Sequence, residues 1–175
     1  MAFFILALQR MEVWKKDVNQ YEQWEITEMI RNATTDDFPE IEKMASQFWP
    51  DAGFNVPYKQ GSSMFYIKLA HNQSLLIVAE KDNELVGFAA GAKSPLMGNS
   101  DFTAGSELAW WVHPDHRGGK LGIQLLQGLE QAAKEAGCDY WGMIFMQSSM
   151  PETIKGIYEK MGYKLQETTY SKRIK

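Results

Sequence analysis

The sequence predicts a single α/β domain in which a mixed sheet is flanked by helices. In several segments apolar residues recur at helical spacing. Between these segments lie apolar runs of strand length, and turn residues end each run. A glycine-rich turn joins one of these strands to the longest predicted helix. A chain of 175 residues fits one ordinary domain with a substantial core.

The first half of the predicted domain alternates strand and helix. A short strand is expected over residues 25–33 and a helix over 37–49, because N-cap candidates and an early proline precede the apolar stripe of that helix. An aromatic-rich loop over 50–57 follows. A second helix is expected over 58–71, although the glycine and serines near its start weaken that prediction.

The middle of the chain reads as strands. Residues 75–80 and 85–92 flank the turn residues Asp82 and Asn83, which predicts an antiparallel hairpin. A loop over 94–101 leads to a further strand over 103–112, which ends before Pro114.

The last third predicts one long helix and three shorter elements. The helix covers 118–136 and has a regular leucine and alanine stripe, with Gly137 in the position of a C-cap glycine. A strand over 140–147, a helix over 151–161 and a terminal strand over 163–174 complete the expected order.

Residues 1–28 are predicted to be an N-terminal extension. Their apolar run MAFFILAL is too short to span a bilayer, since a helix needs about 20 residues to do so. No basic residue precedes the run, so it makes a poor secretory signal. The run could pack on the domain or on a second copy in a homodimer, or act as a weak membrane-surface anchor. No transmembrane segment is expected.

Composition narrows the function classes. A net charge of −4 argues against a general electrostatic grip on nucleic acid. The single cysteine, Cys138, excludes an internal disulfide and a four-thiolate metal site, and indicates a reducing cytoplasm. His113 and His116 have no evident third ligand beside them, so no metal is expected.

The turn that precedes the long helix carries the strongest chemical signal. The first N–H groups of a helix lack internal partners and attract anions, and glycines let a phosphate approach the backbone. Here Gly118, Gly119 and Gly122 lie at this helix start, and Arg117 and Lys120 add positive charge. A pyrophosphate fits this pattern, and a tight turn with solvated basic residues is the alternative. Neither the P-loop motif nor the dinucleotide fingerprint is present.

Four segments in one order resemble the GNAT superfamily of N-acetyltransferases, over residues 29 to 174. They are MIRNATTDDFPEIEKM, SLLIVAEKDNELVGFAAG, LAWWVHPDHRGGKLGIQLL and GIYEKMGYK. The resemblance implies a GNAT-like domain over 29–175 with a mostly antiparallel sheet. It also implies transfer of an acetyl group from acetyl-CoA to a primary amine of an unidentified acceptor. The acceptor is expected over the loop 48–58 and near the terminal hairpin.

The resemblance also implies site residues. The strand that ends at Val112 and the strand after Cys138 should splay apart and admit the pantetheine arm. Tyr158 matches the tyrosine that protonates the departing thiolate, although it could be a core tyrosine. Glu107 is the candidate base, although it could face water, and an ordered water chain could replace it. The residues expected to bind the cofactor are Trp110, Trp111, Val112, Arg117, Gly118, Gly119, Lys120, Leu121, Gly122 and Ile123.

Two departures from the family pattern favour an alternative, a non-catalytic CoA-binding or protein-interaction domain of the same fold. Lys120 stands where the signature normally has glycine, so its side chain could crowd a pyrophosphate. Pro151 stands where the family often has an asparagine that touches the cofactor.

Overall fold

A computed structural model describes residues 29–53, 55–146 and 151–174. The predictions for the extension 1–28, including the apolar run, lie outside the described residues, so the domain boundary at Met29 stays a prediction. None of the helices in the described ranges is long and apolar enough to cross a membrane.

The centre of the fold is a five-stranded sheet in the order β1-β2-β3-β4-β5. The first four strands are antiparallel neighbours and β5 runs parallel to β4, which confirms the mixed, mostly antiparallel sheet. The strands are β1 Ile30–Asn32, β2 Leu76–Lys81, β3 Glu84–Leu96, β4 Asn99–Val112 and β5 Tyr140–Gly142. The α-helices are α1 Phe38–Phe48, α2 Met64–Asn72, α3 Leu121–Glu135 and α4 Pro151–Lys160.

Helices cover both faces of the sheet because alternate strand residues point to opposite sides. On one face, Ile41 of α1 and Ile67 of α2 pack with Val78 and Phe88. On the other face, α3 contributes its leucine stripe to a second core cluster. Residues 76–79 of β2 are buried on both faces, which is why this strand reads as a continuous apolar run.

Trp141 of β5 lies flat against two glycines of the neighbouring strands. A Cβ at Gly91 would come within 2.4 Å of its indole, and a Cβ at Gly105 within 2.7 Å. Both positions therefore need glycine for the Trp141 indole to lie this close to β3 and β4, and a larger residue would force the indole to move.

Four predicted boundaries differ from the structure. The long helix expected from residue 118 begins only at Leu121. The expected loop 94–101 is wrong, because β3 and β4 keep pairing as far as Leu96 and Asn99, and a tight turn with Gly98 at positive φ joins them. The helix expected from residue 58 begins only at Met64. The strand expected over 140–147 ends at Gly142, and residues 143–146 leave the sheet.

The expected terminal strand 163–174 is also wrong. These residues form no regular structure and pair with no strand of the described chain. Leu165 is 81% exposed and Tyr170 is 94% exposed. An alternation of apolar and polar residues favours a strand only where a sheet edge accepts it, and the local sequence contains no information on that edge.

Candidate active site

Pairing between β4 and β5 ends early, and beyond this point the resemblance implies a gap for the pantetheine arm. The two strands pair from Ala104 with Tyr140 to Ser106 with Gly142, and β4 then continues to Val112 paired with β3 only. Within the described ranges, no strand pairs with this edge of β4 beyond Ser106. The backbone groups on this edge of β4 therefore take part in no strand pairing among the described residues, and we call the gap beside this edge the cleft.

A β-bulge marks the point of separation on β4. Ala90 of β3 pairs with Ala109 and Gly91 pairs with Glu107, so that Leu108 is the extra residue. A bulge bends and twists its strand and re-aims the neighbouring side chains. Glu107 lies directly before this bend.

Glu107 is buried, with 6% of its surface exposed, so the alternative of a water-facing carboxylate is wrong. Its Oε2 accepts a hydrogen bond from the backbone N–H of Ile144 at 3.2 Å. Burial raises the pKa of this carboxyl to about 7, against the opposing effects of the Ile144 N–H and of the Tyr158 hydroxyl. Near neutral pH, Glu107 can therefore both accept and release a proton.

Tyr158 of α4 reaches the same point from the opposite wall. Its side chain is 7% exposed, and its hydroxyl donates to the carbonyl oxygen of Ile144 at 3.0 Å. Burial and the neighbouring Glu107 charge raise the pKa of Tyr158 above its usual value, so the phenol stays protonated at neutral pH. The structure thus brings the two predicted catalytic residues together at Ile144.

The turn after β4 is tied back to the strand by Arg117. Its Nε donates to the carbonyl oxygen of Val112 at 2.8 Å, and its guanidinium carbon lies 5.7 Å from the centroid of the Trp111 ring. A short 3-10 turn, Pro114–His116, leads into this contact. The turn is therefore anchored on β4, and β4 is fixed relative to the start of α3.

The three glycines of the turn have different surroundings. Gly118 has a φ of +84°, and a Cβ at Gly118 or Gly119 would meet nothing within 4 Å. A Cβ at Gly122 would come within 3.0 Å of the Trp110 ring, so packing explains that glycine. Open space thus lies beside Gly118 and Gly119, just before the N–H groups of the first turn of α3.

This arrangement fits a pyrophosphate. Lys120 is the N-cap residue of α3, and Leu121, Gly122 and Ile123 form its first turn. The N–H groups of this turn have no acceptor within the helix. Phosphate binding at such a helix start uses these donors together with the helix dipole. The open space lies at residues that carry no side chain, which is what close approach of a phosphate to the backbone requires.

The sequence did not reveal two further sets of contacts, one in the site and one that shapes the loop beside α1. Ile144 contributes only backbone groups, which no residue pattern signals. Glu42 of α1 accepts hydrogen bonds from the Tyr58 hydroxyl at 2.5 Å and from the Gly61 N–H at 2.6 Å. These bonds hold residues 58–61 against α1 as a loop, which explains the late start of α2.

In the described residues, no three His, Cys, Asp or Glu side chains are grouped to hold a metal ion. His113 and His116 lie with their ring centroids 5.9 Å apart, and the Nδ1 of His113 accepts from the Asp115 N–H.

Comparisons with known proteins agree with this geometry. The sequence matches the family described as "Acetyltransferase (GNAT) family" over residues 27–163. An acetyltransferase of Yersinia pestis (strain Pestoides F) is 29% identical over 139 residues, which cover 79% of this chain and 89% of the relative.

Two solved structures share the fold. The ribosomal-protein-alanine N-acetyltransferase of Brucella melitensis biovar Abortus 2308 has a TM-score of 0.61 at 21% identity, covering 83% of this chain and 99% of its own. A protein from Clostridium acetobutylicum, described as a predicted acetyltransferase with acetyl-CoA, has a TM-score of 0.65 at 19% identity, covering 83% and 95%. The chain belongs to the GNAT family and is an acyl-CoA-dependent N-acetyltransferase.

Proposed function

We propose that this enzyme transfers the acetyl group of acetyl-CoA to a primary amine by direct attack of the amine on the thioester. The observation that carries the proposal is the buried Glu107, whose pKa of about 7 suits a general base, beside the protonated Tyr158. Both groups lie at the start of the cleft between β4 and β5.

The residues proposed to hold acetyl-CoA follow the cleft. The backbone groups of Trp110, Trp111 and Val112 would pair with the pantetheine arm as a strand pairs with a sheet edge. The N–H groups from Gly118 to Ile123 would hold the pyrophosphate, with Arg117 and Lys120 adding positive charge. When bound, acetyl-CoA supplies a thioester carbonyl that is open to attack.

Two proton movements are assigned to side chains. Glu107 accepts the proton that the amine loses during attack, and Tyr158 donates a proton to the departing sulfur. Backbone N–H groups of β4 polarise the carbonyl under attack. A carboxyl of pKa about 7 is half ionised near neutral pH, so the rate should rise with pH through that value.

The acceptor is proposed to bind over the loop from Phe48 to Tyr58. Trp49 closes part of this loop, because its Nε1 donates to the carbonyl oxygen of Val56 at 2.8 Å and its ring contacts Tyr58. Such a surface suits an acceptor with an apolar or aromatic part. The name of the Brucella neighbour suggests a peptide N-terminus as one acceptor to test, alongside aminoglycosides and small amines. The single Cys138 supports a cytoplasmic location, and a homodimer stays a prediction.

The test is calorimetry with acetyl-CoA and CoA, followed by a thiol-release screen over these acceptors. With a working acceptor, Glu107→Gln and Tyr158→Phe should each lower kcat by roughly 10² to 10⁴, the usual contribution of general acid–base catalysis. Acetyl-CoA affinity should change far less, because both groups act mainly as charge develops.

Tyr163→Phe is the matched control for Tyr158→Phe. Tyr163 lies beside Tyr158, with ring centroids 5.8 Å apart, but its hydroxyl donates to Glu130 of α3 at 2.7 Å. It should therefore keep the activity of the parent. Equal losses in both variants would assign Tyr158 a structural role. Tight binding of acetyl-CoA with no turnover on any acceptor would favour the non-catalytic alternative.

A further inference from the structure

The backbone of Ile144 contacts both proposed catalytic side chains. Its N–H donates to Glu107 Oε2 at 3.2 Å, and its carbonyl oxygen accepts from the Tyr158 hydroxyl at 3.0 Å. The side chain of Ile144 is itself 48% exposed, so it contributes little to the core. Both of its hydrogen bonds with these two side chains are made by its main chain.

The position of Ile144 in the sheet explains why its backbone is available. Continuing the parallel register beyond Ser106 and Gly142 would place Ile144 opposite Leu108, the bulged residue of β4. The β4–β5 pairing stops before that point, and the side chains of Glu107 and Tyr158 bond to the N–H and C=O of Ile144 instead. Buried main-chain groups need partners, so these two bonds replace strand pairing where the cleft opens.

We infer that the main chain of Ile144 is a positioning element that couples the proposed base and acid, with its N–H holding the Glu107 carboxylate and its C=O orienting the Tyr158 hydroxyl. The inference rests on the proposed function, in which these side chains move the protons. A hydrogen bond to a carboxylate favours its ionised form, and a carbonyl acceptor fixes the rotation of a hydroxyl.

Other titratable groups around Glu107 come from two elements. Tyr158 lies on α4, and Tyr163, which follows α4, interacts electrostatically with both Tyr158 and Glu107. Glu130 of α3 lies behind Tyr163 as its hydrogen-bond acceptor. The Ile144 N–H differs from these groups because its effect on Glu107 is a hydrogen bond from a donor that never titrates.

The test removes this one N–H. Incorporation of the α-hydroxy analogue of isoleucine at position 144 turns the amide into an ester, which deletes the donor and keeps the Ile144 carbonyl and side chain. Ile144→Pro deletes the same donor with a larger backbone constraint. The titration of Glu107 is followed in the free protein by NMR of ¹³C-labelled glutamate carboxyls, with the Glu107→Gln spectrum identifying the signal.

The ester variant should raise the pKa of Glu107 by about one unit or more, because a hydrogen bond to a charged group is lost. Where an acceptor is known, the acidic limb of the rate profile should move to higher pH with it. Ile144→Val and Ile144→Ala keep the N–H and should leave the Glu107 titration unchanged.

An unchanged Glu107 titration in the folded ester variant would overturn the inference. Equal shifts in Ile144→Ala and the ester variant would also overturn it, because they would trace the effect to the side chain. The titration needs neither acetyl-CoA nor turnover, so it still decides the inference if the parent enzyme acetylates no acceptor, an outcome that would count against the proposed function alone.

Discussion

At the scale of single residues, burial decides the chemistry of Glu107. A carboxyl on a strand has an ordinary pKa when water solvates its charge, and removal of that water favours the neutral form. Glu107 is only 6% exposed, so burial raises its pKa. The Ile144 N–H and the Tyr158 hydroxyl stabilise the ionised carboxylate and oppose that rise. The same burial should be visible as a dependence of stability on pH.

Glu107→Gln should be more stable than the parent at pH 8. The pKa of Glu107 is raised from 4.5 to about 7 in the folded state, so the folded protein holds its proton more tightly than the unfolded chain. The parent therefore loses stability as pH rises from about 4.5 to 7, by up to about 3 kcal/mol, and glutamine does not. Urea unfolding of both proteins at a series of pH values measures this difference. Parallel curves from pH 4 to pH 8 would contradict it.

At the scale of elements, the β4–α3 turn separates two uses of glycine. Gly119 borders open space, whereas Gly122 lets α3 pack closely on Trp110. Sequence spacing alone treats both as sites of close approach by a phosphate. The structure distinguishes them, and substitutions can do so as well.

Gly119→Leu should weaken acetyl-CoA binding at least about tenfold, equal to about 1.4 kcal/mol, without changing Tm. Its side chain would enter open space at a residue whose φ is not in the left-handed region. Gly122→Val should instead lower stability by about 1 kcal/mol or more, because its branched side chain meets both the Trp110 ring and Val112. Calorimetric titration and thermal unfolding of both variants separate the two effects. Full affinity in folded Gly119→Leu would place the pyrophosphate elsewhere.

At the scale of the whole molecule, Arg31 joins the edge strand β1 to its neighbours. Its guanidinium nitrogens donate to both carboxylate oxygens of Asp37 at 2.8 and 2.9 Å, and its Nε donates to Glu80 of β2 at 2.8 Å. Asp37 also accepts from Thr34 in a capping box before α1. One side chain therefore links β1, β2 and the entry to the first helix.

Asp37→Asn should destabilise the protein at pH 7 by about 1 to 2 kcal/mol, because it removes a charge-assisted pair. The pKa of Asp37 is lowered from 3.8 to about 2, chiefly by Arg31, so this stabilisation is present above pH 3.8 and disappears as pH falls through 2. Urea unfolding at pH 7, 3 and 2 follows the difference. Glu40→Gln breaks the exposed pair with Lys43 and should change stability little at any pH. Equal effects of the two substitutions would show that the Arg31–Asp37 pair contributes no more to stability than an exposed surface pair.

Local sequence determined much of the fold because its signals are local. The apolar stripe of α3, the early proline of α1 and the turn residues Asp82 and Asn83 each act within a few residues, and the structure confirms these elements. The strand–turn–helix order around Gly118 is present for the same reason. The family resemblance then added Tyr158 and Glu107 as site residues.

Only the tertiary structure decided what depends on distant neighbours. A strand forms where an edge accepts it, so residues 163–174 and the end of β5 could not be judged from their own residues. The sequence showed Glu107 as a carboxylate, but its pKa follows from burial and from an N–H that lies 37 residues away. Ile144 had no signal in the sequence, because its contribution is a backbone donor and acceptor, which nearly every residue possesses, and only packing decides where they lie.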